Sequence, residues 1–432
     1  MNKTHILLLL LVFPVIALQA QKILTVDSAI QITLRNNYDI LVAKNDAEIA
    51  KINNTAGNAG MLPGLSVNAG DNYSYNNVYQ ELSNGTTIQS AGAHSNAFNA
   101  ALTLNWTLFD GGRMFVTKNK LAQIEALGGI QFKTAVLQTV YDVIVAYYNV
   151  VKQKQQLNSF NEVIALNRER VRILERSFNS GLAPKTDYLQ AQIDLNVYRE
   201  DAMAQEGIII SSKRALNQML CRQADVAFDV ADSIPHGLLP DKNEMLSKLN
   251  TTNTSILASG KQVDIAKLSL AEQQRQLFPK LGFTANYNFL RNDNSASTVT
   301  LNRTFGPQLG GVLTIPIYQS GNTRRQIRLA GVELKSAGYN LENMKIQMNS
   351  QLQDAFTAYE IQDELLKIEI DNKALAKENL SISMERLRLG QTTSLEVRQA
   401  QESYQASLTR LTNLQFNLKV AETKLKQLLA QL

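Results

Sequence analysis

The sequence predicts a mostly α-helical chain with a small β part: long coiled-coil helices interrupted by four short strands, arranged as two pseudo-symmetric repeats. Three observations predict it. The 432 residues are rich in Ala, Leu, Gln, Glu, Lys and Arg and hold only 8 prolines, so helix breakers are scarce. Four short segments alternate in polarity with the period of two that belongs to strands. Several landmarks recur in the same order, 209 to 216 residues apart.

The chain opens with a short polar start containing Lys3, then a nearly unbroken apolar run from Ile6 to Leu18, then Gln19-Ala20-Gln21. That layout predicts a secretory signal peptide over residues 1–20, cut after Ala20. The run is shorter than the roughly 20 residues a transmembrane helix needs, and beyond residue 21 no apolar stretch reaches about 18. Any membrane crossing by the mature chain must therefore use strands.

Repeat 1 is expected over 21–220: a helix over 25–58, a hairpin over 62–109, and helices over 113–179 and 184–220 joined by a turn near 181. A linker follows over 221–242. Repeat 2, over 243–432, has a helix over 243–276, a hairpin over 279–318, and helices over 320–389 and 392–430 with a turn near 390. Leu62-Pro63-Gly64-Leu65 and Phe278-Pro279-Lys280-Leu281 open the two hairpins. Phe109-Asp110-Gly111-Gly112 and Tyr318-Gln319-Ser320-Gly321 close them. Phe178-x-x-Gly181 is echoed by Leu387-x-x-Gly390. A proline-free helix over 113–179 would run about 100 Å, and two of the shorter helices end to end match it, which suggests a tall helical tube. Leu157, Ile164, Val171 and Phe178 recur every seventh residue, as do Ile368, Leu375, Ile382 and Leu389, and Tyr404, Leu411, Leu418 and Leu425. Heptads predict side-by-side coiled-coil packing.

The alternating segments start near Leu65, Phe98, Leu281 and Leu309, each about ten residues, the length of a tilted strand in a bilayer. Leu65, Val67, Leu102, Leu104, Trp106, Phe283, Tyr287 and Ile315 are the expected lipid-facing positions. Their neighbours are mostly Asn, Thr, Ser and Gly, which suits a wet lumen. Asn76 to Asn96 and Arg291 to Arg303 read as polar loops. Four strands cannot close a barrel, and an open edge in lipid costs several kcal/mol per unpaired group. Two chains would supply eight strands and three twelve; arithmetic alone does not choose. The rival reading is a secreted structural or adaptor coiled coil without a pore.

Other classes lack residues. A formal net charge of +5 without a basic block gives no nucleic-acid footprint. The lone Cys221 and three scattered histidines offer no disulfide, metal set or cofactor motif. No enzyme chemistry is expected.

Thr25-Val26-Asp27-Ser28-Ala29-Ile30 with Leu34-x-x-Asn37-Tyr38-x-Ile40, the Leu-Pro hairpin opening, Phe109-Asp110-Gly111-Gly112 and the two glycine-centred turns together resemble the TolC-type outer-membrane efflux protein family. The resemblance covers essentially the whole mature chain. It implies a homotrimer whose strands share one 12-stranded transmembrane β-barrel in outer-membrane lipid, above a helical tunnel crossing the periplasm. It implies partners too: a periplasmic membrane-fusion adaptor meeting the tips at Phe178, Gly181, Leu387 and Gly390, and an inner-membrane pump driving efflux or type I secretion. By the same resemblance Asp187 and Glu396 match an acidic ring that gates the periplasmic end. The family's second ring position holds Gln399 here, and its latch positions hold Leu387 and Thr392, so the closing links must differ.

Overall fold

The computed structural model describes residues 23–237 and 241–432. The signal-peptide reading of residues 1–20 lies outside the described residues. The elements are α1 (Val26–Asn36), α2 (Tyr38–Asn53), β1 (Gly64–Glu81), β2 (Thr87–Phe109), α3 (Arg113–Asn179), α4 (Lys185–Met219), α5 (Lys242–Thr252), α6 (Thr254–Arg275), β3 (Lys280–Asn294), β4 (Leu301–Thr314), α7 (Asn322–Arg388) and α8 (Ser394–Leu428).

The duplication is visible at the level of single turns. α3 and α7 have 67 residues each, and α4 and α8 have 35 each. Gly181 stops α3 at φ +74°, with its N–H on the Phe178 carbonyl and the Leu182 N–H on that of Ser177. Gly390 stops α7 at φ +70°, with the same bonds from Gly390 to Leu387 and from Gln391 to Arg386. These are paired Schellman closures, which need a left-handed residue and so favour glycine. α4 and α8 end the same way, but on Cys221 at φ 51° and Ala430 at φ 55°.

Two expected helices are broken. The 25–58 segment divides at Asn37 and the 243–276 segment at Asn253, both in extended conformation with ψ of 125° and 120°. The Asn37 carboxamide oxygen accepts from the Asp39 N–H, and that of Asn253 from Ser255 and Ile256. Asparagine gives the backbone this alternative to helical bonding.

The strands form one antiparallel sheet in the order β1-β2-β3-β4. They are longer than the expected ten residues. The polar stretch read as a loop over 76–96 is largely ladder, pairing to Glu81 opposite Thr87, and the turn shrinks to 82–86. The second hairpin likewise pairs to Asp293 opposite Leu301. Polar side chains on both faces remove the alternation without removing backbone pairing. β4 is displaced the other way and ends at Thr314. Ile315 therefore lies beyond the strand, not on it; Pro316 next to it has no N–H for the ladder.

Two compact units result, and each draws on both repeats. Of the described residues, one gathers those up to Asp39, those from Val136 to Lys242 and Leu352–Leu432; the other gathers Ile40–Ala135 and Asn243–Gln351. In the first, Val143, Tyr147, Val150 and Val151 of α3 pack with Ala29, Leu216 and Phe228. A second core joins Val163 and Leu174 of α3, Leu380 and Leu387 of α7, and Val397, Ala400 and Tyr404 of α8. The heptad column read on α3 packs elsewhere: Ile164, with Leu157 and Val171, meets Leu195 and Ala202 of α4. In the other unit, α2 crosses α3 where a Cβ on Gly128 would lie 3.2 Å from that of Ala50. At the β2–α3 corner, Gly111 has φ +78°, and a Cβ there would meet the Arg275 carbonyl at 2.7 Å. Only glycine fits.

Candidate channel wall and closing tip

The register sorts the sheet into two faces. Leu65 pairs with Leu104, and Val67 with Leu102. Leu102 pairs with Tyr287, and Trp106 with Phe283. Seven of the eight residues read as lipid-facing thus share one face, where Phe289, Phe305 and Leu309 join them. Most are solvent-exposed in the single chain, Val67 at 72% and Leu309 at 71%, while Leu104 and Phe283 are half-buried. Trp106 lies at the sheet's lower border, its indole N–H donating to the Met61 carbonyl at 3.0 Å.

The opposite face carries Ser66, Asn68, Asn99, Thr103, Asn286 and Asn288, with Gln308 on β4. The Asn288 amide donates to the Gln308 side-chain oxygen at 3.2 Å. This polar face is the hollow one: a concavity of about 770 Å³ lies over Asn68, Gly70, Asn99, Ala101, Asn288 and Gln308. The sheet is curved with its apolar face convex. Its outer strands β1 and β4 have no strand beyond them among the described residues.

The tip lies in the other unit. The Phe178 ring stacks on Tyr188 with centroids 6.3 Å apart and planes at 3°. Leu387 is 6% exposed inside the second core. Its side chain therefore packs rather than presents itself. The exposed apolar side chains beside Gly181 and Gly390 are Leu182 at 84%, Leu389 at 62% and Leu395 at 61%; of these, hydrophobic periodicity singled out Leu389 alone.

Asp187 and Glu396 occupy equivalent positions, each the third residue of its helix. A carboxylate there is favoured by the helix dipole. Their surroundings differ. Thr393 caps α8, its hydroxyl accepting from the Glu396 N–H at 3.3 Å, while the Thr392 hydroxyl donates to the Glu396 carboxylate. α4 begins on Pro184, which gives no side-chain cap.

One feature was illegible in the sequence. Arg170 of α3 is 1% exposed. Its guanidinium donates to the Gln401 side-chain oxygen on α8 at 2.6 Å and to the Asp194 carboxylate on α4. Gln190 donates to the other oxygen of Asp194 at 2.8 Å. This network ties three helices of one chain, about three turns above the tip glycine. Nearby, the buried Tyr404 hydroxyl donates to Glu162 at 2.7 Å; burial, then this carboxylate, push its pKa well above the usual range. Arginine is common on solvated helix faces, so only the packing distinguishes Arg170 from its neighbours Arg168 and Arg172.

The heptad column of α7 is equally informative. Ile368, Leu375, Ile382 and Leu389 are 53 to 64% exposed, and Ile361 extends the stripe at 49%. It is not a seam within the chain. The intrachain contacts use Leu380 and Leu387 instead.

A family model described as outer membrane efflux protein matches residues 29–222 and 245–431. The outer membrane efflux protein BepC of Brucella suis is 24% identical over 330 residues, 74% of this chain and 69% of that protein. The alkaline protease secretion protein AprF of Pseudomonas aeruginosa is 23% identical over 321 residues, 72% of this chain and 65% of its own length. The crystal structure of the outer membrane protein VceC from Vibrio cholerae has the same fold, with a TM-score of 0.75 at 16% identity over 94% of this chain and 96% of that one.

Proposed function

The chain belongs to the outer membrane efflux protein family, and from that premise we propose that three copies close their strands into one twelve-stranded barrel, the mouth of a passive exit duct. It is an outer-membrane channel protein that extends into the periplasm. In the proposed duct, substrates arrive from an inner-membrane pump through a periplasmic adaptor, as in efflux or type I secretion.

One observation carries this reading: a four-stranded sheet with two open edges, a convex apolar face and a concave polar one. Convex apolar and concave polar is the wall of a water-filled barrel in lipid. The apolar band fits a membrane. From Leu281 to Leu290 the convex side chains of β3 are uncharged, and Arg291 ends the run. Ten residues at about 3.4 Å, tilted by about 35–45°, give roughly 22–25 Å of height. An edge of that length left open in hydrocarbon would strand about ten backbone groups, the N–H and C=O of every second residue, at several kcal/mol each. Pairing β1 of one copy with β4 of the next removes the cost. The exposed α7 stripe supports association as well: five apolar side chains seven apart want a neighbouring helix. Three copies is the number the family resemblance implies.

In the helical unit, Gly181 and Gly390 with the exposed Leu182, Leu389 and Leu395 form the adaptor-docking tips. Phe178 and Leu387 support the two turns from inside. Asp187 and Glu396, three copies each, gate the aperture by drawing cations and repelling anions.

The test is Leu104→Arg on the convex face. Purified from membranes in detergent, the native chain should be trimeric and conduct in planar bilayers, and the variant should lose both. A native chain that stays monomeric and soluble without detergent would establish the poreless coiled coil instead.

A further inference from the structure

We propose that the strand-built segment of the duct is electrically neutral by construction, so that it passes cargo of either sign and leaves all charge discrimination to the helical segment. This rests on the barrel reading above and adds to it the chemical class of cargo admitted at the exit.

The strands do contain charged residues, but the register sends Asp71, Arg291, Arg303 and Asp293 to one side, leaving Lys280 at the lower border of the other and Glu81 beyond the bulge at Asn76/Val78. Asp71 pairs with Phe98, Phe98 with Arg291, and Arg291 with Arg303. All four therefore point to the convex face, in a row just beyond the apolar band, where headgroups and water meet them. Asp293 joins them two residues further, bonded to Arg291 at 2.9 Å. Lys280, the first residue of β3, is the lower limit of the concave face. Between Gly282 and Asn292 and at the residues paired with them, the concave side chains are amides, hydroxyls, glycine, alanine, Leu290 and Val312.

A wall of neutral dipoles sets up no standing potential, so ions of either sign cross it without a charge-dependent barrier. Asn288 and Gln308 are matched to one another, and a carboxamide offers both a donor and an acceptor, so these amides present no uniform sign. Glycine at 70, 282, 306 and 310 keeps the hollow wide. By contrast, charges crowd the helical tip region, where Arg170, Asp194, Asp201, Arg398 and Glu402 border one small cleft.

The test reads the local potential directly. Cys221 is replaced by serine and a thiol is placed on the concave face by Asn288→Cys, with Asn286→Cys as a second position should the first not assemble. The rates of labelling by a cationic and an anionic methanethiosulfonate are compared in membranes and divided by those of a free thiol. The expected ratio is near one and changes less than about threefold between low and high salt. A preference for the cationic reagent above about tenfold that collapses in high salt would overturn the proposal. So would a thiol that neither reagent reaches in a chain that forms conducting trimers. Adding Asn286→Asp to the Asn288→Cys variant should create the cationic preference. If the cysteine variants and the native chain alike fail to form membrane channels, it is the duct reading that falls.

Discussion

The sheet and the helical tip handle charge in opposite ways. On the sheet, charged side chains are kept out of the apolar band and out of the concave face between Gly282 and Asn292, and none is buried. At the tip, Arg170 is taken fully inside, its two terminal nitrogens bonded to Gln401 and Asp194 while its Nε is left without a hydrogen-bond partner. The difference follows from the surroundings. A strand one residue thick has water or lipid on either side, so each position has a single solvent and the pattern is strict. A helix bundle has an interior, and an ion can be held there if its hydrogen bonds are met.

Substitutions on either side of this contrast should differ in size. The largest effect is expected at the tip: Asp194→Ala should destabilise the helical unit by about 3–5 kcal/mol, because it strands a buried guanidinium. The double variant Arg170→Met with Asp194→Leu should recover most of that loss in thermal unfolding. Next, Leu104→Arg should cost about 2–4 kcal/mol near the bilayer midplane. Asn286→Arg, on the concave face close to the same depth, should assemble normally, as measured by the trimer yield in membrane extracts. A smaller effect separates the two tips. Thr393→Ala should cost about 1 kcal/mol by uncapping α8, while Pro184→Ala removes no cap and should leave the unfolding midpoint almost unchanged. Gentlest near neutrality is the pH effect at Glu272. Burial raises this carboxyl, but Lys120, Thr117 and Arg113 outweigh that and hold it below its ordinary 4.5. The stability it contributes is therefore complete above 4.5 and lost as pH falls through the lower folded value. Denaturation curves should be flat from pH 8 to about 5 and then fall, and Glu272→Gln should flatten the acid limb.

How much of this was legible follows the same division. The bounds of α3 were readable to the residue, because Gly111-Gly112 and Gly181 fence a proline-free run. The strand faces were readable because one apolar face and one polar face write a period of two. The length of the strands was not, since both faces turn polar over 76–96 and the alternation fades there. Asn37 and Asn253 were silent, because one asparagine barely alters a helical pattern. The heptads of α3 and α7 looked alike, yet Ile164 packs within the chain and Leu375 remains bare at 64% exposure; periodicity reports that a partner exists, not which chain supplies it. Arg170 was invisible because nothing local marks a buried arginine.

The two hairpins are unequal in height. Ser95 is opposite Asn294, near the end of the second hairpin, whereas the first continues to Thr87 opposite Glu81. Eight further residues amount to about 27 Å of ribbon. In a closed ring of three chains, tall posts would alternate with low ones. The long helices come in near-identical pairs, but the outer parapet would be crenellated with threefold rather than sixfold symmetry. Whatever approaches from outside would first touch the tips near Asn84.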